Sequence, residues 1–145
     1  MIDDVYNTKI LELAAATPTP SRLDAPDGSA TKVSKLCGSQ LRVDIATRDG
    51  TIEDIAMEVK ACALGQAAAS VVFANAGGAT RAEVDEARDA MHAMLKEPGR
   101  VPEGRFADLR YLEPVRDYRA RHASTLLAID ALAAAFAEAE GALAA

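Results

Sequence analysis

Leu36-Cys37-Gly38-Ser39-Gln40-Leu41-Arg42-Val43-Asp44-Ile45-Ala46-Thr47-Arg48-Asp49-Gly50, continued by Thr51 to Lys60 and closed by Ala61-Cys62-Ala63-Leu64-Gly65-Gln66-Ala67-Ala68-Ala69-Ser70, holds both cysteines of the chain. Leu41, Val43 and Ile45 alternate with Arg42, Asp44 and Ala46, the period-two pattern of a half-buried strand. Asp49-Gly50 supplies the positive-φ residues of a two-residue hairpin turn. On the return strand Ile55, Met57, Val59 and Ala61 share one face, and Ile52 falls on the other parity, which marks a bulge. A hairpin brings the start of its first strand level with the end of its second. Cys37 and Cys62 are therefore expected to be neighbours at one end of a sheet, where a helix begins.

Three readings of that pair stand open. Two small apolar core residues are the plainest, since free cysteine is among the most buried residue types. A disulfide is the second, although nothing in the chain suggests an oxidising compartment. The third is a metal or cluster site. Gly38 leaves room for an approaching ligand, and the start of a helix after Cys62 favours a thiolate through its unpaired N–H groups. Spacing alone ranks the third level with the first.

The order Cys-Gly-x, hairpin, Ala-Cys-Ala-Leu-Gly-Gln-Ala-Ala-Ala-Ser resembles the U-type iron-sulfur cluster scaffold family (IscU, SufU and the NifU N-terminal domain). In that family Cys-Gly-Asp and Gly-Cys-x-x-x-x-Ala-Ser-x-Ser flank a similar hairpin. A third segment, Val115-Arg116-Asp117-Tyr118-Arg119-Ala120-Arg121-His122-Ala123-Ser124-Thr125-Leu126-Leu127-Ala128, is similar without gaps to the family's Val-Arg-x-x-Pro-x-Arg-x-x-Cys-x-x-Leu-Ala. Two departures stand out. Ser39 occupies the place of the family's aspartate, and Ser124 that of its third cysteine. His122 lies two residues before Ser124, and some scaffolds carry a histidine just before their third cysteine. The resemblance thus implies Cys37, Cys62 and His122 as ligands of a metal or cluster.

The composition bounds the remaining classes. Half of the 145 residues are apolar and none is tryptophan, so the core is expected to be built from alanine, leucine, valine and isoleucine. Net charge is -6, from 16 Lys+Arg against 22 Asp+Glu, which argues against general nucleic-acid binding. The longest apolar runs, such as Ala67 to Ala76, are too short and interrupted to span a bilayer. Met1-Ile2-Asp3-Asp4 is acidic where a secretory signal is positive, so a cytoplasmic protein with free thiols is expected.

Along the chain, Ile2, Val5, Tyr6, Ile10 and Leu13 recur at helical spacing and predict a helix over residues 2–16, stopped by Thr17-Pro18-Thr19-Pro20. Ser21-Arg22-Leu23 reads as a short strand, residues 24–28 as a turn, and Ala30 to Lys35 as another strand. A helix runs from Cys62 to about Ala76 and stops at Gly77-Gly78, with Gln66 and Ser70 as polar residues on a tightly packed surface. Thr80-Arg81-Ala82-Glu83 is a capping box. It opens a helix whose apolar face carries Val84, Ala87, Met91, Met94 and Leu95, with His92 at the boundary. Phe106 to Leu109 reads as one helical turn and Leu112 to Arg116 as an ordinary turn. The last helix is expected from about Arg119 to Leu143, with Leu126, Ile129, Ala133, Phe136 and Leu143 on one stripe and His122 on its inward side.

These elements specify one α+β domain over residues 1–145, a small antiparallel sheet of about three strands covered on one face by helices. The resemblance implies a scaffold or carrier for iron-sulfur cluster assembly, a binding protein and not an enzyme. Its cargo would be iron or a labile 2Fe-2S cluster, with zinc suited to the same ligands. A cysteine desulfurase and iron-sulfur acceptor proteins would be its partners. Two other readings remain: a zinc-dependent sulfur carrier accepting persulfide from a desulfurase, and a degenerate member, marked by Ser39 and Ser124, that only binds partners. Arg116, Arg119 and Arg121 crowd one segment and either raise the local positive potential or form a solvated face.

Overall fold

Three antiparallel strands, β1 (Gly28–Val33), β2 (Gln40–Arg48) and β3 (Thr51–Lys60), form an open sheet in the order β1-β2-β3. The structure is a computed structural model that describes residues 6–144, with side chains through residue 141. The hairpin is as the sequence predicts. Asp49 and Gly50 both have positive φ, 54° and 79°, and Arg48 pairs with Thr51 across them. The register slips between Ala46 and Thr47, where Ala46 faces Asp54 but Thr47 faces Ile52. Glu53 is thus the extra residue of the bulge, and Ile52 is turned onto the buried face with Ile45 and Met57.

β1 begins and ends two residues earlier than expected. Its last pair is Val33 with Gln40, after which Ser34 N–H donates to the Ser39 carbonyl and Gly38 N–H to the Ser34 carbonyl. Ser34 and Lys35 therefore belong to a closed turn and not to the strand. Residues 21–23 are not a strand of the sheet either. Their one backbone-to-backbone bond to it, among the described residues, runs from Ser21 N–H to the Met57 carbonyl on β3. From there the chain crosses the outer face as a strap. Leu23 N–H donates to the Asp44 carboxylate at the centre of β2, and Asp27 N–H reaches the Ile45 carbonyl at the start of β1. Asp44, outward by strand parity yet 1 % exposed, is held by Ser29 Oγ at 2.7 Å and by Arg42 and Arg22. Burial raises its pKa, but these donors outweigh it and hold the carboxyl below its ordinary range.

Helices cover the other face. α1 (Thr8–Ala15) is capped by Asn7, whose side chain accepts from Ile10 N–H; the part of the expected helix at residues 2–5 lies outside the described residues. α2 (Ala63–Asn75) follows Cys62 directly, with Gln66 and Ser70 tied to the local backbone as expected. α3 (Arg81–Lys96) opens with the Thr80–Glu83 capping box, both halves of which form. The segment Gly104–Asp117 is 3-10 helix with a kink at Phe106. It buries Phe106, Leu109, Leu112 and Val115, one residue per turn of a helix with three residues per turn.

A further 3-10 turn, Arg119–Arg121, leads into α4 (His122–Ala144). This helix lies on β1 and β2 and packs against α2 and α3. Leu127, Ala128, Ile129, Ala131, Leu132, Ala135, Phe136 and Ala139 are buried, so it is wrapped on most sides and carries no single stripe. Leu126 and Ala133, expected inside, are only half-buried. Each fully buried leucine, isoleucine or phenylalanine of this core contributes about 1.5–3 kcal/mol. Among the described residues no helix is long and apolar enough to cross a membrane.

Candidate functional site

The pairing of Gln40 with Lys60 sets the β1–β2 turn and the end of β3 at the same end of the sheet, which is where both cysteines sit. Cys37 is carried on the turn Ser34–Ser39. Gly38 has φ +74°, a conformation that a residue with a side chain adopts only under strain, and it lets the chain double back so that Cys37 projects outward. The thiol is exposed, and its neighbour Leu36 is 73 % exposed. Cys62, half-buried, is the N-cap residue of α2. Its side chain makes no cap bond and turns instead toward α4, where Sγ lies 3.5 Å from Ser124 Oγ.

Two hydroxyls flank Cys37: its Sγ lies 3.3 Å from Ser34 Oγ and 3.0 Å from Ser39 Oγ. Both serines are buried, so their dipoles are fixed. The Ser34 hydroxyl first, then the Ser39 hydroxyl and backbone N–H, lower the Cys37 thiol from 9.0 to about 7; slight burial opposes them and Ser124 adds to them. Ser124 is the hydroxyl that faces Cys62. Its own Oγ is anchored 3.1 Å from the Arg121 carbonyl, to which Thr125 Oγ1 also donates at 2.8 Å.

Gly65 makes this convergence sterically feasible. A Cβ there would lie 2.7 Å from Ala61 Cβ and 3.2 Å from the Ser124 carbonyl oxygen, so the first turn of α2 meets the first turn of α4 only through a residue without a side chain.

Both cysteines are free thiols, as expected. His122 is not brought to them. Its Nε2 donates to the carbonyls of Val115 at 3.0 Å and Arg116 at 2.9 Å, tying the start of α4 to the preceding 3-10 segment. Among the described residues no three His, Cys, Asp or Glu side chains gather as a metal-binding group. His92, expected at a boundary, bonds Asp130 Oδ1 at 2.7 Å through Nε2, and Arg88 shares that oxygen. Ser34 is a site residue that the sequence reading passed over. Its signal was there in Ser-x-x-Cys-Gly-Ser, with hydroxyls three before and two after a cysteine in a tight turn.

No protein-family model matches the chain, and no curated protein does. Solved structures do. One is a crystal structure of a nitrogen-fixing NifU-like protein (N-terminal) from Brucella abortus, 56% identical over 97% of this chain and 97% of that one, with a TM-score of 0.93. Another is a candidate iron-sulfur cluster assembly scaffold protein for the SUF system from Fervidobacterium islandicum AW-1. It is 20% identical over 92% of this chain and 98% of that one, with a TM-score of 0.79, a likeness of fold. With more than half of its residues shared with the first, over nearly the whole of both chains, the chain belongs to the NifU-like, U-type scaffold family.

Proposed function

We propose that the protein is a scaffold for iron-sulfur cluster assembly, holding iron or a labile 2Fe-2S cluster as cargo at Cys37 and Cys62 and passing it on. The observation that carries this reading is the placing of both free thiols at one end of the sheet, Cys37 exposed on the β1–β2 turn and Cys62 at the end of β3, in a chain of this family. The donor set suits the task. Two soft thiolates attract iron or zinc, while stable clusters use four protein thiolates. A site two short of that number leaves positions for sulfide, solvent or a partner's ligand, which is what transfer requires. A neutral hydroxyl is a poor soft-metal ligand, so Ser124 beside Cys62 contributes little hold. A ligand role for His122 would use Nδ1, with Nε2 on the two carbonyls fixing the tautomer, and would require the turn of residues 119–122 to swing toward the cysteines. Sulfur supplied by a cysteine desulfurase and delivery to iron-sulfur acceptor proteins complete the role, in which the chain binds and releases but does not catalyse.

Anaerobic reconstitution with iron and sulfide, read by visible absorption and by iron and zinc analysis, tests the proposal. The parent should take up iron and colour, Cys37→Ala and Cys62→Ala should lose both, and His122→Ala separates a ligand from a positioning residue. Ser124→Cys, which adds a third thiolate, should lengthen the cluster's lifetime. A parent that stays colourless and metal-free would instead identify a member that only binds partners.

The exposed, hydroxyl-bonded Cys37 supports a second reading, a sulfur carrier in which zinc at the same residues holds the site. Cys37 would then be the acceptor, because the family's third cysteine is Ser124 here. A Cys37 persulfide detected by mass spectrometry after incubation with a desulfurase and cysteine would establish it.

A further inference from the structure

Behind the turn that presents Ser124 lies a depression of about 440 Å³ lined by Leu95, Lys96, Arg116, Arg119 and His122. It is built by four elements: the last turn of α3, the end of the long 3-10 segment, the short 3-10 turn Arg119–Arg121 and the first residue of α4. Two of its members are held in place. Arg116 Nε donates to the Met94 carbonyl at 2.9 Å, with one terminal nitrogen 3.5 Å from Glu113, and His122 is fixed by its two carbonyls. Lys96 and Arg119, in contrast, have no acidic partner among the described residues. Lys32, Lys35, Lys60, Arg100, Arg110 and Arg121 likewise lack a carboxylate among the described residues; what sets Lys96 and Arg119 apart is that they line one hollow with a third cation, Arg116, and that no carboxylate lines it. Convergent cations cost free energy by mutual repulsion unless an anion joins them. Two guanidinium groups and an ammonium offer the planar and point donors that oxyanions take.

We propose that this depression is a binding site for an oxyanion, a carboxylate or phosphate-class group, distinct from the thiol site. Lys96 and Arg119 supply the unspent charge, and Arg116 and His122 form the preorganised wall. Because Arg119 and His122 flank Arg121, whose carbonyl anchors Ser124, an occupant would bear on the turn that positions Ser124. The same chemistry is offered by a small free anion and by the side chains of an acidic segment on a partner protein.

Amide NMR titrations of the full chain with phosphate, with citrate and with a hexaglutamate peptide, all at constant ionic strength made up with chloride, test the site. Saturable shifts centred on the amides of Lys96, Arg119 and His122 are expected, together with their loss in the Lys96→Gln/Arg119→Gln double variant. Both positions are exposed, so that variant keeps the fold, which its unperturbed core amides verify. Tighter saturation by phosphate or citrate assigns the site to a free anion, and tighter saturation by the peptide assigns it to a partner's acidic segment. Shifts that grow linearly with concentration across all surface lysines and arginines, or that survive in the double variant, overturn the proposal.

Discussion

Cys37 owes its character to three neutral neighbours. A serine hydroxyl donates to a thiolate without bringing charge of its own, whereas the aspartate found at the Ser39 position in the resembling family would repel a thiolate and hold it protonated to higher pH. Ser39 therefore changes the chemistry of its neighbour as well as removing a carboxylate. The lowered value means that the thiolate is populated above about pH 7 and lost below it. In metal-free protein, peptide-resolved alkylation of Cys37 by iodoacetamide should accelerate with a midpoint near that value. Ser39→Ala should move the midpoint upward and Ser39→Asp further still. A midpoint at the ordinary thiol value in the parent would show that the serine hydroxyls do not act on the sulfur. At this scale the sequence was partly legible. Cys37 and Cys62 lie at one end of the sheet as the hairpin implied, but Ser39 and Ser124 were read as losses when each hydroxyl faces a thiol. Helix geometry accounts for His122, since residues two apart on a helix point about 200° from one another. Once Ser124 faces the cysteines, His122 faces away from them.

Among the elements, the contact of α2 with α4 decides whether the site exists, and Gly65 sets that contact. On helix propensity alone Gly65→Ala should stabilise the protein by about 1 kcal/mol. The contacts around its Cβ predict the opposite sign, because Ala61 is a short side chain with no freedom to move and the Ser124 carbonyl is backbone. Overpacking of this kind costs about 1–3 kcal/mol, so urea unfolding should show a net loss of stability, with metal uptake weakened as Cys62 and Ser124 separate. A variant more stable than the parent would show that the two helices are not tightly apposed. The elements that could be read were those whose signals are local: the hairpin with its bulge, the capping box and the glycine stop after α2. Only one turn of the 3-10 segment, Phe106 to Leu109, was legible, because Phe106, Leu109, Leu112 and Val115 recur at period three, which neither the helical nor the strand template scores. α4 was misread as one-sided because a helix wrapped by both sheet and helices buries most of its circumference, and its alanines give no amphipathic contrast.

For the whole molecule, the fold class and the side of the sheet that carries the helices followed from the alternation in residues 40–60. The strap did not, because the carboxylate and carbonyls that hold residues 21–27 come from far along the chain. That dependence orders events in time. Asp44 Oδ2, the Met57 carbonyl and the Ile45 carbonyl are arrayed as a track only after β2 has paired with β3, a hairpin closed by a two-residue turn and able to form in about 1–10 μs. The strap precedes that hairpin in the sequence yet must follow it in assembly. In pulsed hydrogen-exchange labelling during refolding, the amides of Asp44 and Ala56, which face each other across the β2–β3 ladder, should gain protection before that of Leu23, and simultaneous protection would refute the order. An emerging chain would then hold residues 21–27 uncommitted until the hairpin between the two cysteines had been made.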